Sequence, residues 1–141
     1  MLLLGITLQN RRDQTPAEGG QRLFEQASEA FFNTSGPVTT AARAAINRVN
    51  EELMKLNRAA APAGMLQGGL ICAVLRGNNL YIVQAGLGEA LIMQQMGAQR
   101  LPLVPANRPL GFSQSFDVQY HHCQIYADDL LVLSARLPDA W

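Results

Sequence analysis

Charge is scarce in this chain of 141 residues: Asp, Glu, Lys and Arg make up 16% of it, against about 25% in an average soluble domain. The charge present balances, with 11 basic and 11 acidic side chains and a formal net charge of zero. A dedicated nucleic-acid binder carries a basic surplus that neutralises phosphates, so no nucleic-acid partner is expected. Cysteine is nearly missing. Cys72 and Cys123 are too few for a disulfide scaffold and lack the paired spacing of a structural zinc site. Long apolar runs are missing too. The opening MLLLGI has no basic lead and no small-residue cleavage site, and no stretch reaches the ~18 apolar residues of a membrane span. These absences lead us to expect a soluble, cytoplasmic protein with no membrane partner. What the chain does hold is core material, 48% hydrophobic, which argues against disorder. A single domain over residues 1–141 is the expectation.

The pattern of apolar residues divides the chain. Leu2 to Leu8 reads as a short buried strand, and Gln9 to Gly20 as a polar loop with Pro16 and a glycine pair. A first helix is expected over Leu23–Phe32, with Leu23, Ala27, Ala30 and Phe31 near one face and Phe24 beside them. Asn33, Ser35, Gly36 and Pro37 end it. A second helix over Thr40–Asn57 carries the stripe Ala42, Ile46, Val49, Leu53 and Leu56. Asn47 and Asn50 are expected on its wetter side, and Thr39 or Thr40 as its N-cap. From Gly68 the period changes to two. Leu70 to Ala85 reads as a hairpin turning at Arg76-Gly77-Asn78-Asn79, and Ala90 to Gln94 as a third strand closed by Gly97. Arg100 to Gly111 reads mostly as loop. Val118–Ile125 and Leu130–Leu133 read as the last strands, joined at Ala127-Asp128-Asp129. Strand, two helices and then an antiparallel meander make an α+β pattern in which long helices cover a sheet.

Five segments in a fixed order resemble the metal-dependent PPM (PP2C-type) serine/threonine phosphatases. A helix ending like "aN..l" stands at Ala44-Ala45-Ile46-Asn47-Arg48-Val49-Asn50-Glu51-Glu52-Leu53. Gly68-Gly69-Leu70 resembles the opening of "GtT". Leu80-Tyr81-Ile82-Val83-Gln84-Ala85-Gly86-Leu87-Gly88-Glu89-Ala90 resembles "lyvaNvGDSRa", and Leu110-Gly111 an "LG" pair. Ala127-Asp128-Asp129-Leu130-Leu131-Val132-Leu133-Ser134-Ala135-Arg136-Leu137 resembles "GD.lLLcSDGl". Near the N-terminus, the strand running into Gln9-Asn10, then Ala17-Glu18-Gly19-Gly20 and Ala27-Ser28, is similar to "vaDGmGGh..Ge.AS". The opening "NeD" strands and the segment after "SDG", with its "DN" motif, find no counterpart. The resemblance therefore implies a PP2C-like α/β sandwich in reduced form. It is either a shortened variant or a fragment of a larger domain or chain.

The same resemblance implies what chemistry is lost. The family holds two divalent cations with carboxylates and uses them to activate water and clamp phosphate. Hard cations need hard oxygen ligands. At the positions of the family's aspartates this chain has Gln9, Leu87 and Ala135, and Arg136 replaces the glycine after the last. Leucine and alanine cannot ligate, and a neutral amide does not offset dication charge. No cofactor, no catalytic residue and no metal ligand set is therefore expected. Asp13, Asp128 and Asp129, with Glu18, remain as displaced-ligand candidates. Against that, Asp13 and Glu18 read as loop decoration and Asp128-Asp129 as a turn.

Other polar residues have plain readings. His121 and His122 are neighbours in a strand, so they face opposite ways and cannot share a metal. Cys123 shares a face with His121 and gives at most a two-ligand pair. Cys72 lies on one face with Leu70 and Val74 and reads as core. Arg11-Arg12 reads as loop solubility. Gly86 marks a bend, Gly97 a site of positive φ, and Trp141 either a terminal anchor or an interface residue.

Three functional expectations follow. The first is a non-catalytic, pseudophosphatase-like module for protein interaction or regulation, with a protein partner or a second copy covering an uncovered sheet edge. The second is an active Mn- or Mg-dependent phosphatase whose ligands are displaced or externally supplied. The third is a small α+β domain of unrelated role.

Overall fold

A computed structural model describes residues 1–10, 19–102 and 108–141. Strand β1 (Leu2–Asn10) is followed by helices α1 (Gly20–Phe32) and α2 (Val38–Ala59) and a 3-10 turn over Pro62–Gly64. Strands β2 (Leu66–Arg76), β3 (Asn79–Gly86), β4 (Glu89–Gln94), β5 (Gly97–Leu101), β6 (Gln119–Gln124) and β7 (Leu130–Ser134) complete the described chain. The strands form two antiparallel sheets, ordered β1-β2-β3-β6 and β5-β4-β7. The result is an α+β sandwich of PP2C-like architecture: a helical layer, the four-stranded sheet, then the three-stranded sheet.

Two apolar layers hold it together, and the strand period of two builds both. Leu70, Cys72 and Val74 of β2 and Val83 and Ala85 of β3 face the helices, where they meet Leu23, Ala27, Ala42, Ile46, Val49 and Leu53. The alternate residues Ile71, Ala73, Leu80 and Ile82 face the second sheet and meet Ala90, Ile92 and Leu101. β2 and β3 are therefore buried on both faces, which explains their near-continuous apolar run.

The expected elements return with corrections. The single meander is instead two hairpins, β2-β3 and β4-β5, shared between two sheets, with β6 returning to β3 and β7 to β4. Gly97 closes the turn after β4 as expected, paired with Gln94, but it also opens β5, which takes Arg100 and Leu101 out of the expected loop. Its φ of +141° fits the expected positive-φ glycine. The N-cap of α2 is Pro37, extended at φ −61°, so Thr39 and Thr40 lie inside the first turn. Pro37's carbonyl accepts the first helical bonds from Thr40 and Ala41 N–H. Leu56 of the expected stripe is 45% exposed, whereas Asn50 is 3% exposed. On α1, Leu23, Ala27 and Phe31 are buried, while Phe24 is largely exposed.

Glycine is required where the sheets exchange strands. A Cβ at Gly69 would collide with the backbone of Leu87, and one at Gly86 (φ +72°) with the Gly68 carbonyl. Here the chain leaves β3, donates Leu87 N–H to Gly68 O at 3.2 Å, and crosses to β4.

Candidate functional site

The sandwich opens beside the point where β3 passes into β4. β1 contributes Gly5, Ile6 and Thr7, β2 contributes Ile71, and the end of β7 contributes Leu133, Ser134 and Ala135, around a cavity of about 100 Å³. Gly88 closes the side: a Cβ placed there would stand 3.2 Å from Thr7 Oγ1. Alternation along β1 turns Thr7 inward between the sheets, and it is buried.

Of the three positions where the resemblance puts family aspartates, Ala135 lines this mouth, and Leu87 is next to Gly88 at its edge. Gln9 lies two residues further along β1, opposite Gln67 and half-buried. Asp13, Glu18 and Arg11-Arg12 fall outside the described residues. Thr7 is the residue the sequence reading missed; its only signal was its place two residues before Gln9 on the same strand face.

Asp128 and Asp129 occupy the other end of β7, about 20 Å from Ala135 at ~3.3 Å per residue. They build a turn. Asp128 takes φ +75°, Asp129 N–H donates to Tyr126 O at 3.2 Å, and Asp129 Oδ2 accepts Tyr126 N–H at 2.9 Å and Gln94 Nε2 at 2.7 Å.

The carboxylate nearest the mouth in the ladder is Glu89, paired across from Ser134. Both of its oxygens are used. Oε1 accepts Arg100 Nη2 at 2.8 Å and Nε at 3.2 Å, and Oε2 accepts Leu137 N–H. Arg100 also donates to the carbonyls of Leu137 and Pro138. Burial opposes the charge on Glu89, but the Leu137 N–H, Arg100 and Arg136 together hold its pKa below the usual 4.5. The pair therefore pins the segment after β7 and leaves Leu137 1% exposed. Ser134 Oγ is spent as well, donating to Arg136 O at 2.8 Å and accepting Arg136 N–H.

Among the described residues this mouth offers two hydroxyls and no carboxylate, a donor set that does not fit a pair of hard dications. Among the described residues no three of His, Cys, Asp and Glu come together as a metal could require. His121 and His122 face opposite ways. His122 stacks on Tyr81 at 4.6 Å and lies 3.0 Å from Asn79 Oδ1, while His121 turns inward with its Nε2 buried and unpaired. Burial, helped by the neighbouring His122, lowers the His121 pKa. Cys72 is fully buried, and desolvation pushes its thiol up to about 12, which removes it as a nucleophile at neutral pH. Trp141 is exposed and does not anchor the chain end.

A second polar feature went unseen in the sequence. Asn50 and Asn57, buried on α2, grip the segment at Gly111. Asn50 Oδ1 accepts Gly111 N–H at 2.8 Å and its Nδ2 donates to Ser113 O at 2.9 Å. Asn57 Nδ2 donates to Leu66 O and Gly111 O, each at 2.9 Å, and its Oδ1 accepts Leu66 N–H at 2.8 Å.

No family model matches the chain, and no curated protein matches it. Solved structures do. A bacterial serine phosphatase variant superposes with a TM-score of 0.73 at 12% identity, covering 94% of this chain and 61% of its own. PppA, a key regulatory component of T6SS in Pseudomonas aeruginosa, gives 0.66 at 12% identity, covering 92% and 64%. The catalytic domain of the serine/threonine phosphatase PstP, in complex with two manganese ions, gives 0.61 at 13% identity, covering 94% and 77%. These likenesses establish the fold of the PP2C phosphatase structures. The chain spans less than two thirds of the length of the first two. No helix of the described residues is long and apolar enough to cross a membrane.

Proposed function

We propose that this chain is a PP2C-like module that does not catalyse dephosphorylation and acts instead through protein interaction. The observation that carries this reading is the composition of the sandwich mouth. Among the described residues Thr7, Gly88, Ser134 and Ala135 stand there, and Glu89, the ladder partner of Ser134, has both oxygens committed to Arg100 and Leu137. A binuclear site needs several anionic oxygens converging on one point to offset four positive charges. Arg100 and Arg136 near Glu89 bias the local field the other way.

The test is calorimetric titration of the purified chain with Mn²⁺, alongside hydrolysis of a phosphopeptide. The expected outcome is no binding at millimolar Mn²⁺ and no metal-dependent release of phosphate. Binding of two ions in the micromolar range would overturn the reading in favour of an active metal-dependent phosphatase. Loss of that binding in Asp13→Asn and Glu18→Gln variants would then identify displaced ligands.

A further inference from the structure

We propose that β1 is an interaction edge, and that it pairs antiparallel, about a two-fold axis, with β1 of a second copy of this chain. The inference rests on the interaction-module reading and names its surface. β1 ends the four-stranded sheet, and among the described residues no strand pairs with its outer side. Met1 and Leu75 exchange both main-chain bonds, Met1 N to Leu75 O and Leu75 N to Met1 O, each at 2.9 Å. Antiparallel ladders alternate. The odd residues of β1 therefore bond to β2, and Leu2, Leu4, Ile6 and Leu8 aim their N–H and C=O groups at the open side. Natural edges are guarded by charge, proline or bulges. β1 reads LLLGITLQN, with no charge and no proline, and pairs to β2 without a bulge over all nine residues.

Apolar side chains flank the edge on both faces, with Asp129 the one charged side chain among the described residues lining the sandwich-side cavity. On the helix side, the Gln26 side chain turns toward Glu52 of α2. Phe24 lies about 200° round α1 from it, on the flank that turns away from α2, and is 42% exposed. On the sandwich side, Leu3 and Met1 with Leu130 and Leu131 line a cavity of about 270 Å³ between β1 and β7. β7 is itself an uncharged edge strand, LLVLS.

A copy of β1 fits this edge because the strand is self-complementary. Centred on Gly5, it pairs Leu4 of each copy with Ile6 of the other and Leu2 with Leu8. Outward-aimed groups then meet outward-aimed groups, the apolar helix-facing row continues across the axis, and no like charges are opposed. A stable pair buries upward of about 1,200 Å². The strand must therefore be supplemented by Phe24 and Leu3, and the dimer is expected to dissociate at roughly micromolar concentration.

Light-scattering mass measurement across a dilution series, with hydrogen exchange read at both ends, tests this. The expected result is a dimer at high concentration in which the Leu4, Ile6 and Leu8 amides exchange at least tenfold more slowly than in the diluted monomer. Phe24→Glu should weaken the dimer at least tenfold, and so should Leu4→Pro, which deletes an outward N–H that β2 does not use. A monomer at every concentration overturns the proposal, as does a dimer whose β1 amides show no concentration-dependent protection. Because neither readout involves metal or phosphate, a monomer that also ignores Mn²⁺ refutes this edge alone. A Mn²⁺-binding chain refutes the non-catalytic reading alone.

Discussion

Asn57 shows how much one side chain can hold. It satisfies the main-chain N–H and C=O of Leu66 and the C=O of Gly111, and is itself 5% exposed. Asn57→Leu keeps the volume and orphans all three groups. A loss of about 3 kcal/mol is expected in urea denaturation. Glu89 acts similarly in the second sheet. Its folded pKa lies below the unfolded value, so its contribution is fully present above about pH 4.5 and is lost as pH falls through the folded value. Glu89→Gln is expected to cost about 1–2 kcal/mol at pH 7. It should also flatten the acid limb of the stability profile and speed proteolytic cleavage after Leu137. An unchanged acid limb would remove the latch argument.

At the level of elements, the decisive joint is the passage from β3 to β4. The Gly69 position is filled by the backbone of Leu87, and no rotamer change relieves a backbone contact. Gly69→Ala is therefore expected to cost about 3 kcal/mol, whereas Gly64→Ala, in open space at the 3-10 turn, should leave stability within about 0.5 kcal/mol. Thermal melts of the two variants check the contrast. α2 was legible because Ala42, Ile46, Val49 and Leu53 keep one face. Its start was not, because Pro37 supplies the helix with a pre-set φ and a free carbonyl that a Thr cap would otherwise be read to provide. β5 was hidden for a different reason. Gly97-Ala98-Gln99-Arg100-Leu101 has no apolar alternation, and its pairing with β4 makes it a strand.

The whole molecule is a layered stack whose layers are unequally protected. β2 and β3 are buried on both faces and paired on both edges, while β5 is an edge strand of a sheet with one mostly uncovered face. Amide exchange in β2 and β3 is expected to require global unfolding, with β5 and β7 opening at several kcal/mol less. Equal protection across both sheets would mean that the second sheet is not a separately opening unit.

Local composition and period determined a good deal by themselves: two helices, a central hairpin, a Cys72 that packs rather than reacts, and histidines that face apart. These follow from rules of 3.6 and 2 residues that hold without any partner. That Leu87 and Ala135 cannot hold a metal needs no structure either, because an apolar side chain cannot ligate in any fold, but only the family resemblance marks them as ligand positions. Tertiary structure decided the rest. It divided the strands between two sheets, turned Asn50 and Asn57 inward, brought Thr7 to the mouth beside Ala135, and joined Glu89 to Arg100 and Leu137. Each of these is a contact between segments far apart in sequence. Which buried polar group finds a partner depends on where the whole chain folds back, and no local window contains that information.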